Sequence, residues 1–160
     1  MLLKKYFFAQ KIDREVLIRM KEMKFKEVQK SDYISNFWDE ESRVLKTIWN
    51  TPIDMSEKVY REVIVSQIAL TIKYAPNNVL VNTENAHYHI LPETQKWINE
   101  KFEVMMTQVK LEKMAWIVSE DFFAQISFDQ FIDDANHNDS FLIQYFTSEK
   151  DAFEWLLQKS

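Results

Sequence analysis

The chain has 160 residues, of which 46% are hydrophobic and 28% are charged, and its formal net charge is −5. This composition is typical of one globular domain that is long enough to bury a sizeable core. The sequence contains no cysteine, which excludes disulfides, thiolate zinc sites and thiol nucleophiles. It also contains no glycine, which excludes the usual Walker-A loop, dinucleotide-binding fingerprint and nucleophile elbow, because each needs glycine in its backbone.

The beginning of the chain and its hydropathy bear on location. The first residues, MLLKKYFFAQK, lack the pattern of a secretory signal because lysines interrupt their short apolar stretches. No apolar run approaches the roughly 20 residues that a membrane-spanning helix needs. Together with the lack of cysteine, these features predict a cytoplasmic protein without an integral membrane segment.

Charge is unevenly distributed along the chain. Residues 1–30 contain nine Lys/Arg and four Asp/Glu, whereas residues 119–160 contain two Lys/Arg and nine Asp/Glu. We interpret these segments as solvated faces that attract each other within the fold or in a dimer. A basic arm for nucleic acid or anionic lipid is the alternative, but acidic residues are interspersed throughout residues 1–30, and we predict no nucleic-acid partner.

Residues 1–30 are predicted to be an N-terminal segment that packs on the domain or mediates association. Apolar residues recur in it at spacings of three and four, which indicates an amphipathic helix over part of the segment. These residues are Phe7, Phe8, Ile12, Val16, Leu17, Met20 and Met23. The alternation from Phe25 to Val28 is compatible with the start of a strand.

A hairpin and a helix are predicted next. Residues 32–38 and 43–49 are rich in aromatic and β-branched side chains, and the short polar stretch between them predicts a turn. Asp54 is the predicted N-cap of the helix, because Glu57 follows three residues later as in a capping box. Pro76 is predicted to end this helix.

The rest of the chain alternates between strands and helices. The predicted elements are a strand at 79–81, a polar loop at 82–89, a helix from Pro92 to about Gln108, a strand at 114–118, one or two short helices at 120–131, a polar loop at 133–139, a strand at 141–146 and a final helix capped by Ser148. The apolar run Val79-Leu80-Val81 is typical of a sheet buried on both faces. The order β-β-α-β-α-β-α-β-α predicts an α/β fold with a largely parallel sheet of about five strands.

This order resembles the STAS superfamily, and more narrowly the SpoIIAA-like proteins, relatives of anti-sigma-factor antagonists that are often labelled STAS/SEC14. The resemblance covers roughly residues 30–158. Its carrying stretches are Thr47-Ile48-Trp49, Val79 to Thr83, Met114 to Asp121, and Phe146 to Leu156 with its Ala-x-x-Trp-Leu ending.

The resemblance implies a STAS-like domain at residues 31–160, with helices mainly on one face of a mixed sheet. It implies a domain that acts by binding a protein or a small ligand, with no catalysis. In classical anti-sigma-factor antagonists a serine in an Asp-Ser-Ser-Gly-like turn is phosphorylated. The corresponding stretch here, His89 to Thr94, has neither Asp-Ser nor Gly, so that switch is not carried over to Thr94.

A candidate ligand or partner site is predicted where two strands end, because ligands of open α/β sheets bind at the carboxyl ends of strands. Its residues are Asn82, Thr83, Glu84, His87, His89, Ser119, Glu120 and Asp121. The H-x-H pair His87 and His89 is compatible with a metal, but a third close ligand is not evident. We therefore predict no metal and no cofactor.

Three functions follow for testing. We predict a non-enzymatic binding or regulatory domain that acts through protein contacts and forms a possible homodimer. The alternative is a carrier of a lipid or small apolar ligand, and a weaker alternative is a metal-dependent hydrolase using His87 and His89. If helices cover one sheet face, the other needs a cover, and the hairpin aromatics are candidates for self-association. These are Tyr33, Phe37, Trp38 and Trp49.

Overall fold

A computed structural model describes residues 14–125 and 141–159 of the chain. The strands in this part are β1 (Lys26–Lys30), β2 (Ile34–Asp39), β3 (Val44–Thr51), β4 (Asn78–Ala86), β5 (Lys113–Ile117) and β6 (Leu142–Phe146). The helices are α1 (Arg14–Glu22), α2 (Glu57–Tyr74), α3 (Pro92–Met106), α4 (Glu120–Gln125) and α5 (Glu149–Leu157). The loop predicted at residues 133–139 lies outside the described residues, as does the end of the helical stretch predicted at 120–131.

The strands form one mixed sheet in the order β1-β2-β3-β4-β5-β6. β1, β2 and β3 pair antiparallel, and β3 to β6 pair parallel. The predicted α/β class and largely parallel sheet are confirmed. The sheet has six strands where about five were expected, because β1, within the N-terminal segment, pairs with β2 of the hairpin.

Helices cover both faces of this sheet. On β4, Val79 and Val81 contact the cluster beneath α2 and α3, while Leu80 between them contacts the cluster beneath α1 and α5. Successive strand residues point to opposite faces, so an uninterrupted apolar run needs cover on both. The structure thus differs from the expectation that helices lie mainly on one face.

The first long helix starts later than predicted. Ser56, with extended backbone, is the N-cap of α2, and its side chain accepts a hydrogen bond from the Val59 amide. The prediction of Asp54 was wrong, because the serine two residues further on caps the helix, with Val59 as the third helical residue. At the other end the helix stops at Ala75, whose backbone is left-handed (φ 45°), directly before the predicted breaker Pro76.

The β2–β3 hairpin is tied to the end of α2. Asp39 closes the turn by accepting hydrogen bonds from the Ser42 amide and hydroxyl and from the Lys24 amide. Burial alone would raise the pKa of Asp39, but these hydrogen bonds outweigh it and hold that pKa below its ordinary value. Arg43 then donates to the Tyr74 and Ala75 carbonyls at 3.0 and 2.7 Å, which satisfies the end of α2.

Side chains from three other elements satisfy the end of α5. Lys113 Nζ donates to the Trp155 and Gln158 carbonyls at 2.9 and 2.6 Å. Asn78 donates to the Leu156 carbonyl and Arg19 to the Leu157 carbonyl. Cationic donors at a helix C-terminus complement its dipole. This end of α5 therefore lies at the amino ends of β4 and β5, where Asn78 and Lys113 begin.

Candidate binding edge at the carboxyl ends of the parallel strands

The carboxyl ends of β3, β4 and β5 lie side by side at one edge of the sheet, because these strands are parallel neighbours. We call the strand ends and the loops after them, residues 51–57, 82–93 and 118–122, the carboxyl edge. All eight residues of the predicted ligand or partner site belong to it. The structure shows which of their polar groups already have partners.

The first three candidates lie in a strand, where a loop was predicted. β4 continues to Ala86, because residues beyond Asn82 still pair with β3 after β5 has ended. The Asn82 Oδ1 accepts a 3.0 Å hydrogen bond from the Glu84 amide, and the Thr83 hydroxyl donates to the Ile117 carbonyl at 2.8 Å. These two hydrogen bonds stabilise the end of the strand. The Glu84 residue is exposed.

The two histidines flank a tyrosine that points inward. Tyr88 stacks on Tyr60 with ring centroids 4.4 Å apart, and the His87 and Tyr88 amides both donate to the Thr51 carbonyl. The His87 and His89 residues are exposed. Across residues 14–125 and 141–159, no group of three or more His, Asp or Glu side chains could hold a metal ion.

The last three candidates start α4. The Ser119 hydroxyl oxygen accepts a 3.1 Å hydrogen bond from the Phe122 amide, and its carbonyl accepts from the Phe123 amide. Ser119 is thus a helix N-cap. Glu120 and Asp121 are exposed in the first turn, where acidic residues favour the helix dipole.

Large apolar side chains are exposed in each of the three stretches of the carboxyl edge. Ile53 follows β3 and is 65% exposed, Leu91 follows β4 and is 53% exposed, and Phe122 follows β5 and is 49% exposed. Ile90 beside Leu91 is also exposed. Exposed apolar residues scattered singly are ordinary, but their recurrence on neighbouring loops is typical of a contact surface.

A polar cluster centred on Glu57, at this edge, had not been predicted. Glu57 at the start of α2 accepts hydrogen bonds from Arg61 and from the Thr94 hydroxyl of α3. These bonds, that from Thr94 first, hold the pKa of Glu57 below its ordinary value. Arg61 also lies over the Trp97 ring, 4.9 Å from its centroid. The spacing of Glu57 and Arg61 indicates an ion pair, but no local signal reveals that Thr94 joins them.

The hairpin aromatics predicted for self-association are divided between the two faces. Trp38 is buried beneath α2, with its ring centroid 5.2 Å from that of Tyr74, so it cannot serve as a surface contact. Tyr33 and Trp49 are half-buried beside α2, in the cluster of Tyr60. Phe37 faces the opposite side, where Lys46 Nζ lies 5.7 Å from its ring centroid.

A groove of about 450 Å³ runs along the outer side of α2. Its lining residues, Lys58, Arg61, Glu62, Val65 and Ser66, all belong to that helix. A groove lined by one helix gives no enclosure for an acyl chain, which usually needs a concave site with most of the ligand buried. Of the phenylalanines in the helical stretch predicted at 120–131, Phe122 is exposed and Phe123 is buried, while Phe128 and Phe131 lie outside the described residues.

Comparisons of the chain with protein-family models, curated proteins and solved structures found no match. None of the helices in the described part of the chain combines the length and hydropathy that a membrane-spanning segment requires.

Proposed function

We propose that the chain is a non-enzymatic, cytoplasmic binding domain that recognises a partner protein through the carboxyl edge. The carrying observation is the recurrence of exposed apolar residues, Ile53, Leu91 and Phe122, in the stretches that follow three neighbouring parallel strands. An apolar centre with a polar rim is how protein interfaces are built. The STAS-like resemblance of the sequence supports the same function.

The chemistry of the polar candidates supports binding over catalysis. The side chains of Asn82, Thr83 and Ser119 form hydrogen bonds with neighbouring main-chain groups. Polar atoms engaged in this way support a structural role better than a catalytic one. The exposed apolar residues, in contrast, gain free energy only when a partner covers them. The groove along α2, which is lined by a single helix, does not supply the enclosure that a lipid carrier needs.

A matched pair of double variants tests this function. Ile53→Asp with Leu91→Asp changes the carboxyl edge, and Val65→Asp with Val104→Asp changes two similarly exposed side chains on the outer sides of α2 and α3. Both variants add the same charge. Each chain and the wild type are immobilised, incubated with extract of the source cells, and the retained proteins are identified by mass spectrometry and then purified for affinity measurement.

We expect a partner that binds the wild type and the helix variant alike and binds the edge variant at least about 10-fold more weakly, as loss of central interface residues produces. A partner that binds both variants equally would place the contact elsewhere. An edge variant that unfolds at a lower temperature than the helix variant is replaced by Ile53→Ser with Leu91→Ser, which removes the apolar groups without adding charge.

A further inference from the structure

The charge of the carboxyl edge restricts the partner that it can take. Residues 51–57, 82–93 and 118–122 contain no lysine or arginine. Their exposed acidic residues are Asp54, Glu84, Glu93, Glu120 and Asp121. A partner that covers the apolar side chains must therefore bring positive charge as well, because like charges across an interface are strongly unfavourable.

The chain itself contains a segment with this chemistry. Residues 1–13 contain three lysines and one aspartate. They also contain the large apolar residues Leu2, Leu3, Tyr6, Phe7, Phe8 and Ile12. A short segment with both basic and large apolar side chains is the complement of an acidic edge with exposed Ile53, Leu91 and Phe122.

Two contacts locate the second half of α1 and the residues after it relative to the strands. Arg19 donates to the Leu157 carbonyl, and the Lys24 amide donates to Asp39. Both contacts lie at the amino ends of the parallel strands, because Asn78 at the start of β4 bonds to Leu156 and Asp39 pairs with Val44 at the start of β3. The carboxyl edge lies at the opposite ends of these strands.

Residues 1–13 are long enough to reach beyond their own domain. Extended, they span at most about 45 Å, whereas a strand as long as β3 covers about 26 Å at 3.3 Å per residue. Their length therefore allows them to reach the carboxyl edge of a second copy.

We propose that two copies of the chain associate reciprocally, with the basic apolar residues 1–13 of each copy binding the acidic carboxyl edge of the other. This inference rests on the proposed function, since it uses the same edge and names its occupant. The proposed association is isologous, so each contact is made twice. Screening of its charges makes it weaker at high ionic strength.

Reversal of charge on the two surfaces tests the pairing. One full-length variant carries Lys4→Glu, Lys5→Glu and Lys11→Glu. A second carries one change in each of the three stretches of the edge, Asp54→Lys, Glu84→Lys and Asp121→Lys. A control reverses three exposed lysines outside both surfaces, Lys26, Lys30 and Lys110. Folding of each is checked by circular dichroism, and the dimer dissociation constant is measured by sedimentation equilibrium.

We expect a wild-type dimer whose dissociation constant rises at least about 10-fold in either reversed variant alone, and no such rise in the control. An equimolar mixture of the two reversed variants regains the affinity to within about threefold, because both contacts are then complementary again. A chain that carries all six changes also dimerises.

Three results would overturn the proposal. The first is a wild type that stays monomeric at all concentrations, and the second is a mixture that does not regain the dimer. The third is a six-change chain that is monomeric although its edge is protected from amide hydrogen exchange. That third result would assign the occupant to the same copy. None of these results contradicts the proposed function. That function is tested independently, by the effect of Ile53→Asp with Leu91→Asp on the binding of another protein.

Discussion

The Thr94 hydroxyl at the start of α3 donates a 2.6 Å hydrogen bond to Glu57 Oε1 at the start of α2. Thr94 is completely buried, and its hydroxyl proton is committed to this bond. A kinase cannot reach a side chain in that position without opening the contact between the two helices. Thr94 therefore joins the starts of two helices in this chain.

Replacing Thr94 by valine tests this joint. The hydrogen bond from Thr94 is the largest contribution that lowers the pKa of Glu57, so Thr94→Val should raise that pKa toward its ordinary value while Arg61 keeps part of the effect. A lowered carboxyl pKa stabilises the fold above the ordinary pKa, and this contribution is lost as pH falls through the folded value. The variant should therefore lose less stability between neutral and acidic pH.

Carboxyl NMR titration of Glu57 and denaturant unfolding at several pH values measure the two effects. Thr107→Val is the control, because Thr107 is an exposed threonine that bonds only to the Val104 carbonyl of its own helix. An unchanged Glu57 pKa in Thr94→Val would contradict the assigned role.

Lys113 is the second residue whose removal has a defined outcome. Lys113→Met removes two hydrogen bonds at the end of α5, one to the buried Trp155 carbonyl and one to the partly buried Gln158 carbonyl, and we expect a loss of about 2 kcal/mol in the free energy of unfolding. Lys110→Met, on an exposed neighbour, should have no comparable effect. Equal stability of the two variants in urea would show that the α5 carbonyls find other donors.

The titration of Lys113 gives this prediction a pH dependence. Burial lowers the pKa of Lys113, although Glu112 opposes the shift. The unfolded chain then holds the proton more tightly than the folded one, so this group makes stability rise as pH climbs from the folded pKa toward the ordinary value. The difference in stability between the wild type and Lys113→Met should grow over that alkaline range, and an unchanged difference would argue against the shift.

Ala75 offers a stabilising change. Its left-handed backbone ends α2, and this conformation costs a residue with a Cβ about 1 kcal/mol more than it costs glycine. Ala75→Gly should raise the free energy of unfolding by up to about 1 kcal/mol, whereas Ala69→Gly in the exposed interior of α2 should lower it by about as much. Thermal unfolding of both variants gives the two signs, and a loss of stability in Ala75→Gly would refute the expectation.

Zinc addition decides the hydrolase alternative. Two exposed histidines without a third ligand, among the described residues, form a weak site at best. We expect an equimolar zinc salt to leave the unfolding temperature of the wild type unchanged, and His87→Ala to behave identically. If the wild type retains zinc after dialysis and His87→Ala does not, that result would contradict this expectation and support the metal-dependent hydrolase.

The sequence predicted those parts of the fold that have local signals. The hairpin followed from two apolar runs around a polar turn, and the α5 cap followed from Ser148, whose side chain accepts from the Asp151 amide as predicted. The apolar run Val79-Leu80-Val81 also predicted a sheet that is covered on both faces, although the family resemblance indicated helices mainly on one face. Local patterns and the observed packing agree in these places because the residues concerned are neighbours along the chain.

What the sequence left unpredicted depends on contacts between distant segments. β4 continues past Asn82 because its main chain still pairs with β3. The polar side chains of this stretch do not indicate that pairing. The joint between Glu57 and Thr94 requires the start of α3 to lie against the start of α2, and no periodicity encodes that. The exposed apolar residues Ile53, Leu91 and Phe122 share an edge only because three strands are parallel.

A chain without glycine still needs left-handed backbone, and within the described residues Arg43 and Ala75 supply it. Each of these positions carries a conformational strain that glycine would remove. Every other position, however, belongs to a residue whose unfolded backbone explores fewer conformations than glycine does, and a less mobile unfolded chain loses less entropy on folding. In the described part of the chain this strain therefore falls on Arg43 and Ala75, which are joined by the hydrogen bond from Arg43 to the Ala75 carbonyl. The unfolded chain has fewer backbone conformations than that of a glycine-containing domain of equal length.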